Sequence, residues 1–105
     1  MSSWGFAPRT TSINLTATAT DHPVVNGDNI RIWGFIISNS GSATDSIVSF
    51  RSFDGTKTYL TARMNTTVLA NIVSKIKWIA DKGLSVRSST STDIEITIFH
   101  SHPGT

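Results

Sequence analysis

Between Ile30 and Ile37 only Arg31 and Gly34 interrupt a run of large apolar side chains, and a polar cluster from Asn39 to Asp45 separates it from a second run that carries Ile47, Val48, Phe50 and Phe53. Runs of this length bounded by turn residues read as strands. A strand that is nearly all apolar wants a central place in a sheet or cover on both faces. The two runs are therefore expected to form a hairpin, and because a lone hairpin is not stable in water, the rest of the chain must pair with it or pack on it. Alternation places Ile30, Ile32 and Ile36 on one face, with Gly34 between them, and Arg31, Trp33, Phe35 and Ile37 on the other. A glycine in mid-strand weakens pairing unless it makes room for a bulge or a close neighbour, so the Trp33 ring or another strand is expected against Gly34.

The same periodicity organises the flanks. Ser12 to Thr20 alternates strictly, with Ile13, Leu15, Ala17 and Ala19 facing one way and Asn14, Thr16, Thr18 and Thr20 the other, which predicts a half-buried strand. His22-Pro23 and Asn26-Gly27-Asp28 punctuate the chain, and Val24-Val25 between them suits a short extended link. A strand from Ser46 to Phe53 turns at Asp54-Gly55 into another from Thr56 to Arg63. In residues 64–83, Val68, Leu69, Ile72, Val73, Ile76 and Ile79 fit helical spacing over 67–81, whereas the β-branched content and the alternation of Lys75, Ile76, Lys77 and Trp78 favour two short strands with a bend near 71–74. The strand reading is preferred. Leu84 to Arg87 and Ile94 to His100 complete the series, the last with Ile94, Ile96, Ile98 and His100 on one face. Seven or eight short strands at this spacing predict an all-β fold, a jelly-roll-like antiparallel sandwich, with an immunoglobulin-type sandwich second. Residues 12–102 form the single domain. Residues 1–11 form an N-terminal arm whose Trp4 and Phe6 would gain roughly 1.5–3 kcal/mol each on burial, which favours docking on the core or on a neighbour.

Composition sharpens this picture in one respect. Charged residues make up 15% of the chain, below the roughly 25% of an average domain, and Ser and Thr supply 15 residues each. The polar surface is made of hydroxyls, and Thr itself suits strands. The net charge is +2, from nine Lys and Arg scattered without a block, so direct nucleic-acid binding is not expected. The chain has no cysteine, which removes disulfides and thiolate metal sites. No apolar run approaches the ~20 residues that span a bilayer, and MSSWGFAPR lacks the features of a secretion signal. Synthesis in the cytoplasm and no membrane partner are the expectations.

Chemistry is sparse. The acids Asp21, Asp28, Asp45, Asp54, Asp81, Asp93 and Glu95 fall mostly in turns, where backbone reasons explain them, and nothing marks two of them as a catalytic pair. His100 and His102 form an H-x-H, with His22 or Asp21 the conceivable further ligands, but solvated histidines are the better reading and no metal or cofactor is assigned. Trp33, Tyr59 and Trp78 could make a sugar-stacking platform, or fill the core, which is the preferred reading. No catalytic motif is present, and the chain is not expected to be an enzyme.

The order of elements carries a resemblance. Ile30, Ile32, Gly34, Ile36, Ser38 and Gly41 in IRIWGFIISNSG, then Trp78, Asp81, Gly83, Leu84 and Val86, then Ile94 to Phe99, together look like a family of small virion-associated phage jelly-roll proteins. The resemblance spans residues 13–100 and departs in the Lys-bearing stretch 71–77, which that family more often fills with Gly and Pro. It implies a capsid decoration or cement protein on the virion surface, a homo-oligomer of trimer type that binds the major capsid protein and stabilises the shell. Trp4, Phe6, Pro8 and Arg9 are the candidate partner-binding residues. The alternative class is a phage tail, fibre or carbohydrate-binding module that uses an exposed aromatic sheet face.

Overall fold

The computed structural model describes residues 8–39, 46–64, 71–89 and 94–102. Nine strands run through them: β1 (Arg9–Leu15), β2 (His22–Val25), β3 (Ile30–Asn39), β4 (Ser46–Arg51), β5 (Thr58–Met64), β6 (Asn71–Ser74), β7 (Trp78–Ala80), β8 (Leu84–Ser88) and β9 (Ile94–Ser101). The described residues contain no helix. Two antiparallel sheets result, one ordered β1-β9-β3-β6 with β7 also on β3, the other β2-β8-β4-β5. The pairs are nested. β1 lies against β9, β2 against β8, β3 against β6 and β7, and β4 against β5. This is one long hairpin folded over itself so that alternate sections fall in opposite sheets, the jelly-roll arrangement. Because β6 and β7 are two halves of one edge position, nine strands fill eight places.

The tip of that long hairpin is the turn after β4. The Ser52 N–H donates to the Lys57 carbonyl at 2.8 Å and the Gly55 N–H to the Ser52 carbonyl at 2.9 Å. Asp54 accepts from the Ser52 hydroxyl at 2.7 Å, from the Thr56 hydroxyl at 2.7 Å and from the Thr56 N–H at 3.1 Å. Those donors hold the Asp54 carboxyl down at about 2. The Asp-Gly pair thus makes the turn its sequence predicts, with Gly55 at φ 76°.

The opening pair of strands is not a hairpin. β3 and β4 belong to different sheets, and their contact is across the sandwich, where the Phe35 and Phe50 rings lie 4.4 Å apart between centroids. The reason is competition for β3's hydrogen-bonding edges: β9 takes one side along most of its length, and β6 and β7 take the other. Nothing remains for β4 to pair with.

Face assignment along β3 also departs from strict alternation. Trp33 and Gly34 together oppose Phe99, a bulge that adds one residue and reverses the phase. Ile30, Ile32, Phe35 and Ile37 all point inward and are buried, while Ile36 faces out beside Trp33. A neighbour does press on Gly34, and it is a different strand: a Cβ there would sit 2.5 Å from the Ser74 carbonyl oxygen. Segment 71–80 is strand, turn, strand, as preferred over the helix, but the bend falls at 75–77, opposite the bulge. Residues 65–70 lie outside those described.

β1 begins three residues earlier than alternation suggests and ends at Leu15, so Arg9, Thr10 and Thr11 are part of the sheet, paired with His100, Phe99 and Ile98, and not of the arm. Ala17 and Ala19 leave the strand because the chain must cross to the other sheet before His22. The Ala19 N–H, at φ 51°, donates to the Ser88 carbonyl at 2.7 Å on the far side. Between the sheets, Leu15, Val48, Phe50, Leu84, Val86, Ile94, Ile96 and Ile98 are fully or almost fully buried, a core of one contiguous cluster.

Candidate functional site

Each residue singled out by the sequence has a definite place or falls outside the described segments. Trp4 and Phe6 are among the latter. Pro8 is half-buried just ahead of β1, and Arg9, exposed, opens that edge strand opposite His100. His100 points inward and is buried. Its Nε2 meets the Thr11 hydroxyl at 2.8 Å, while its Nδ1 has no partner among the described residues. Burial, reinforced by the charges of His102 and Arg9, lowers its pKa and keeps the ring neutral. His102 sits by Gly27, and His22 is committed to the β1-β2 crossing, its Nε2 accepting from the Thr16 N–H at 3.0 Å. Among the described residues no three His, Asp or Glu side chains gather to grip an ion.

Three of the acids, Asp21, Asp54 and Asp81, are similarly engaged. Both carboxylate oxygens of Asp21 accept from Arg51, at 3.1 and 3.0 Å. Those of Asp81 accept from Lys57 at 3.2 and 3.1 Å, and that contact lowers the Asp81 pKa. Asp54 belongs to the turn; Asp45 and Asp93 lie outside the described residues.

The three aromatics do not share an open face. Trp78 pairs with inward-facing Ile32 and packs edge-on to Phe50, with ring centroids 6.3 Å apart, and Tyr59 lies 5.5 Å from Trp78. Tyr59 also clasps the turn before β8. Its hydroxyl donates to the Gly83 carbonyl and accepts from the Lys82 N–H, both at 2.9 Å, and burial raises its pKa. Only Trp33 faces out. The bulge holds it there, its Nε1–H donates to the Ser101 hydroxyl at 2.9 Å, and the Lys77 ammonium stands 4.6 Å above its ring.

What the structure adds is the outer face of the β1-β9-β3-β6/β7 sheet. Cross-strand register puts Ile36 opposite Val73 and Ile79 opposite Arg31, all pointing away from the core, with Trp33 and Phe99 alongside. Val73 is 59% exposed, Ile79 44%, and Ile76, in the bend between β6 and β7, 74%. Apolar period alone gave Val73, Ile76 and Ile79 an element but no side, and placed Trp33 in the core. The available signal was the exposed setting of Lys75 and Lys77 around Ile76, which marks an edge. Large exposed aliphatics on an edge strand are a liability in a monomer and mark a contact surface.

No protein-family model, no curated protein and no solved structure matches this chain.

Proposed function

We propose that this protein is a structural virion component, a decoration or cement protein that seats on a phage capsid, contacts the major capsid protein and works as a homo-oligomer of trimer type. The observation that carries this reading is the apolar outer face at Val73, Ile76 and Ile79, next to Ile36 and Trp33, on a small sandwich whose described carboxylates and histidines are largely tied into turns, ion pairs or the core. The role is contact, with no bond made or broken. The resemblance of IRIWGFIISNSG and of the final Ile94–Phe99 strand to small phage jelly-roll proteins points the same way.

Magnitude decides how such a face would act. Scaling roughly 1.5–3 kcal/mol per fully buried aliphatic by exposures of 59, 74 and 44% gives about 3–5 kcal/mol for the three side chains. Association costs on the order of 4–15 kcal/mol, so this face alone does not hold two free molecules together. It suffices when a second contact is made at once, either by the Trp4–Phe6 arm clasping a neighbour or by a shell that presents many sites. A carbohydrate-binding role draws less support, since Tyr59 and Trp78 are turned into the sandwich.

Co-sedimentation with undecorated capsids tests the reading, with multi-angle light scattering for the free protein. Val73→Asp with Ile79→Asp should keep the β-sheet circular dichroism spectrum and lose most capsid occupancy, and removal of residues 1–7 should lower the oligomeric mass. Full occupancy by the double variant would overturn the reading, as would a wild-type monomer that ignores capsids.

A further inference from the structure

Three arginines from distant parts of the chain share the outer face of the β2-β8-β4-β5 sheet, on the opposite side of the molecule. Register sets Arg87 of β8 across from Ser49 of β4, and Arg63 of β5 across from Ile47 of β4, while Arg51 follows Ser49 by two residues on the same face. Arg87 therefore lies diagonally across from Arg51, as Arg63 does from Ser49, at a backbone spacing of roughly 7–8 Å. A shallow groove follows this face past Ala19, Ile47, Ser49, Arg51, Arg87 and Ser89, and beyond Ile47 and Ser89 a second hollow leads on to Arg63.

Bonds within the protein fix the forks of Arg51 and Arg87. Arg51 gives one nitrogen to both oxygens of Asp21 and the other to the Gly55 carbonyl. Arg87 gives one nitrogen to the Ala19 carbonyl. A guanidinium carries five N–H donors in a rigid fork, so each keeps donors beyond these bonds. Fixing long side chains in advance lowers the entropy cost of binding. Asp21, held by Arg51, shows the recognition mode the face already uses.

We propose that this groove binds an acidic, extended segment of a partner polypeptide, its Asp or Glu carboxylates engaging Arg51, Arg63 and Arg87 with Ser49 and Ser89 at hand as neutral hydrogen-bonding groups. β4 is paired on both sides, so the segment is held through side chains and not by strand addition. Charge complementarity selects an anion. The form of the groove selects a peptide: crossing three strands it is about 10 Å wide, too short for a phosphate track, and among the described residues no aromatic ring lines it on which a base or a sugar face would stack. This face is separate from the apolar one of the other sheet, so the site stands or falls independently of the capsid reading.

Heteronuclear NMR titration of the full chain with an alternating Glu-Ser oligopeptide, and with its Gln-Ser counterpart, tests it. The Glu-Ser peptide should bind saturably, with shifts centred on 47–51, 61–63 and 85–89, and added salt should weaken binding; the Gln-Ser peptide should not bind. Arg63→Glu with Arg87→Glu should lower affinity at least about tenfold while melting as the wild type does. Ser49→Glu, which fills the groove with the chain's own carboxylate, should do the same without touching an arginine. Absence of saturable binding would overturn the proposal, as would affinity unchanged in both variants, or tighter binding of a single-stranded oligonucleotide or sulfated glycan at the same residues.

Discussion

Replacing Gly34 by alanine probes a point where β9, β3 and the end of β6 press together. The new Cβ would lie 2.5 Å from the Ser74 carbonyl oxygen, against roughly 3.3 Å for a tolerable carbon–oxygen contact, so β6 must retreat by about 0.8 Å or β3 must twist. Neither movement is cheap, because the obstacle is backbone and because Phe35 next door pairs with Ser74 while packing on Phe50 in the core. Overpacking of this kind costs about 1–3 kcal/mol, and loosening the Phe35–Ser74 pair adds roughly 0.5–1.5 kcal/mol. Against this, alanine gains about 0.4–1 kcal/mol by restricting the unfolded chain. The net expectation is a loss of about 2 kcal/mol, which for a domain of 105 residues lowers Tm by roughly 8–16 °C. Urea unfolding should show the midpoint falling with the slope unchanged, and hydrogen exchange should quicken at 71–74 before it does at 78–80. A Gly34→Ala protein as stable as the wild type, or more so, would mean that β6 does not lie where the register puts it, and the account of the bulge would fail with it.

Two predictions concern pH. His100 is kept neutral by burial with Arg9 and His102 nearby, so its folded pKa lies below the ordinary 6.5; the unfolded chain takes up the proton first, and stability should decline as pH falls below about 6.5. Ring proton NMR that showed His100 titrating at or above 6.5 would refute the inward placement. Asp54 titrates at about 2 in the folded chain instead of 3.8 because the Ser52 and Thr56 hydroxyls and the Thr56 N–H bond its charged form. Its contribution is complete above about 3.8 and disappears toward 2, so Asp54→Asn should flatten the acid limb of the stability curve between pH 5 and 2, and an unchanged limb would remove the turn from the argument.

Much of the architecture was legible in the residues. Alternation in Ile94 to His100 and in Ile13 to Leu15 predicts strands with the faces they have, and Asp54-Gly55 predicts the turn at the tip of the long hairpin, because these signals depend on two or three neighbouring residues and on backbone sterics. Gly34 announced a close neighbour for the same reason, although its sequence context could not say which strand that was. What failed was whatever depended on partners. The hairpin expected of β3 and β4 dissolved once β9, β6 and β7 had filled both edges of β3, and Ile36 changed face because a bulge moves the phase of every residue beyond it.

The candidate surfaces divide in the same way. A low-charge, hydroxyl-rich, cysteine-free chain of short strands is fixed by composition and period, and with it an all-β sandwich. Arg51, Arg63 and Arg87 read as scattered charges, and Val73 and Ile79 as apolar positions with no assigned side, until the fold gave each strand a neighbour and a face. Local spacing determines whether a residue points up or down from its own strand. Only the order of strands in the sheets decides whether that direction leads to the core, to solvent, or to another charge, because that order is set by long-range pairing that no local pattern contains.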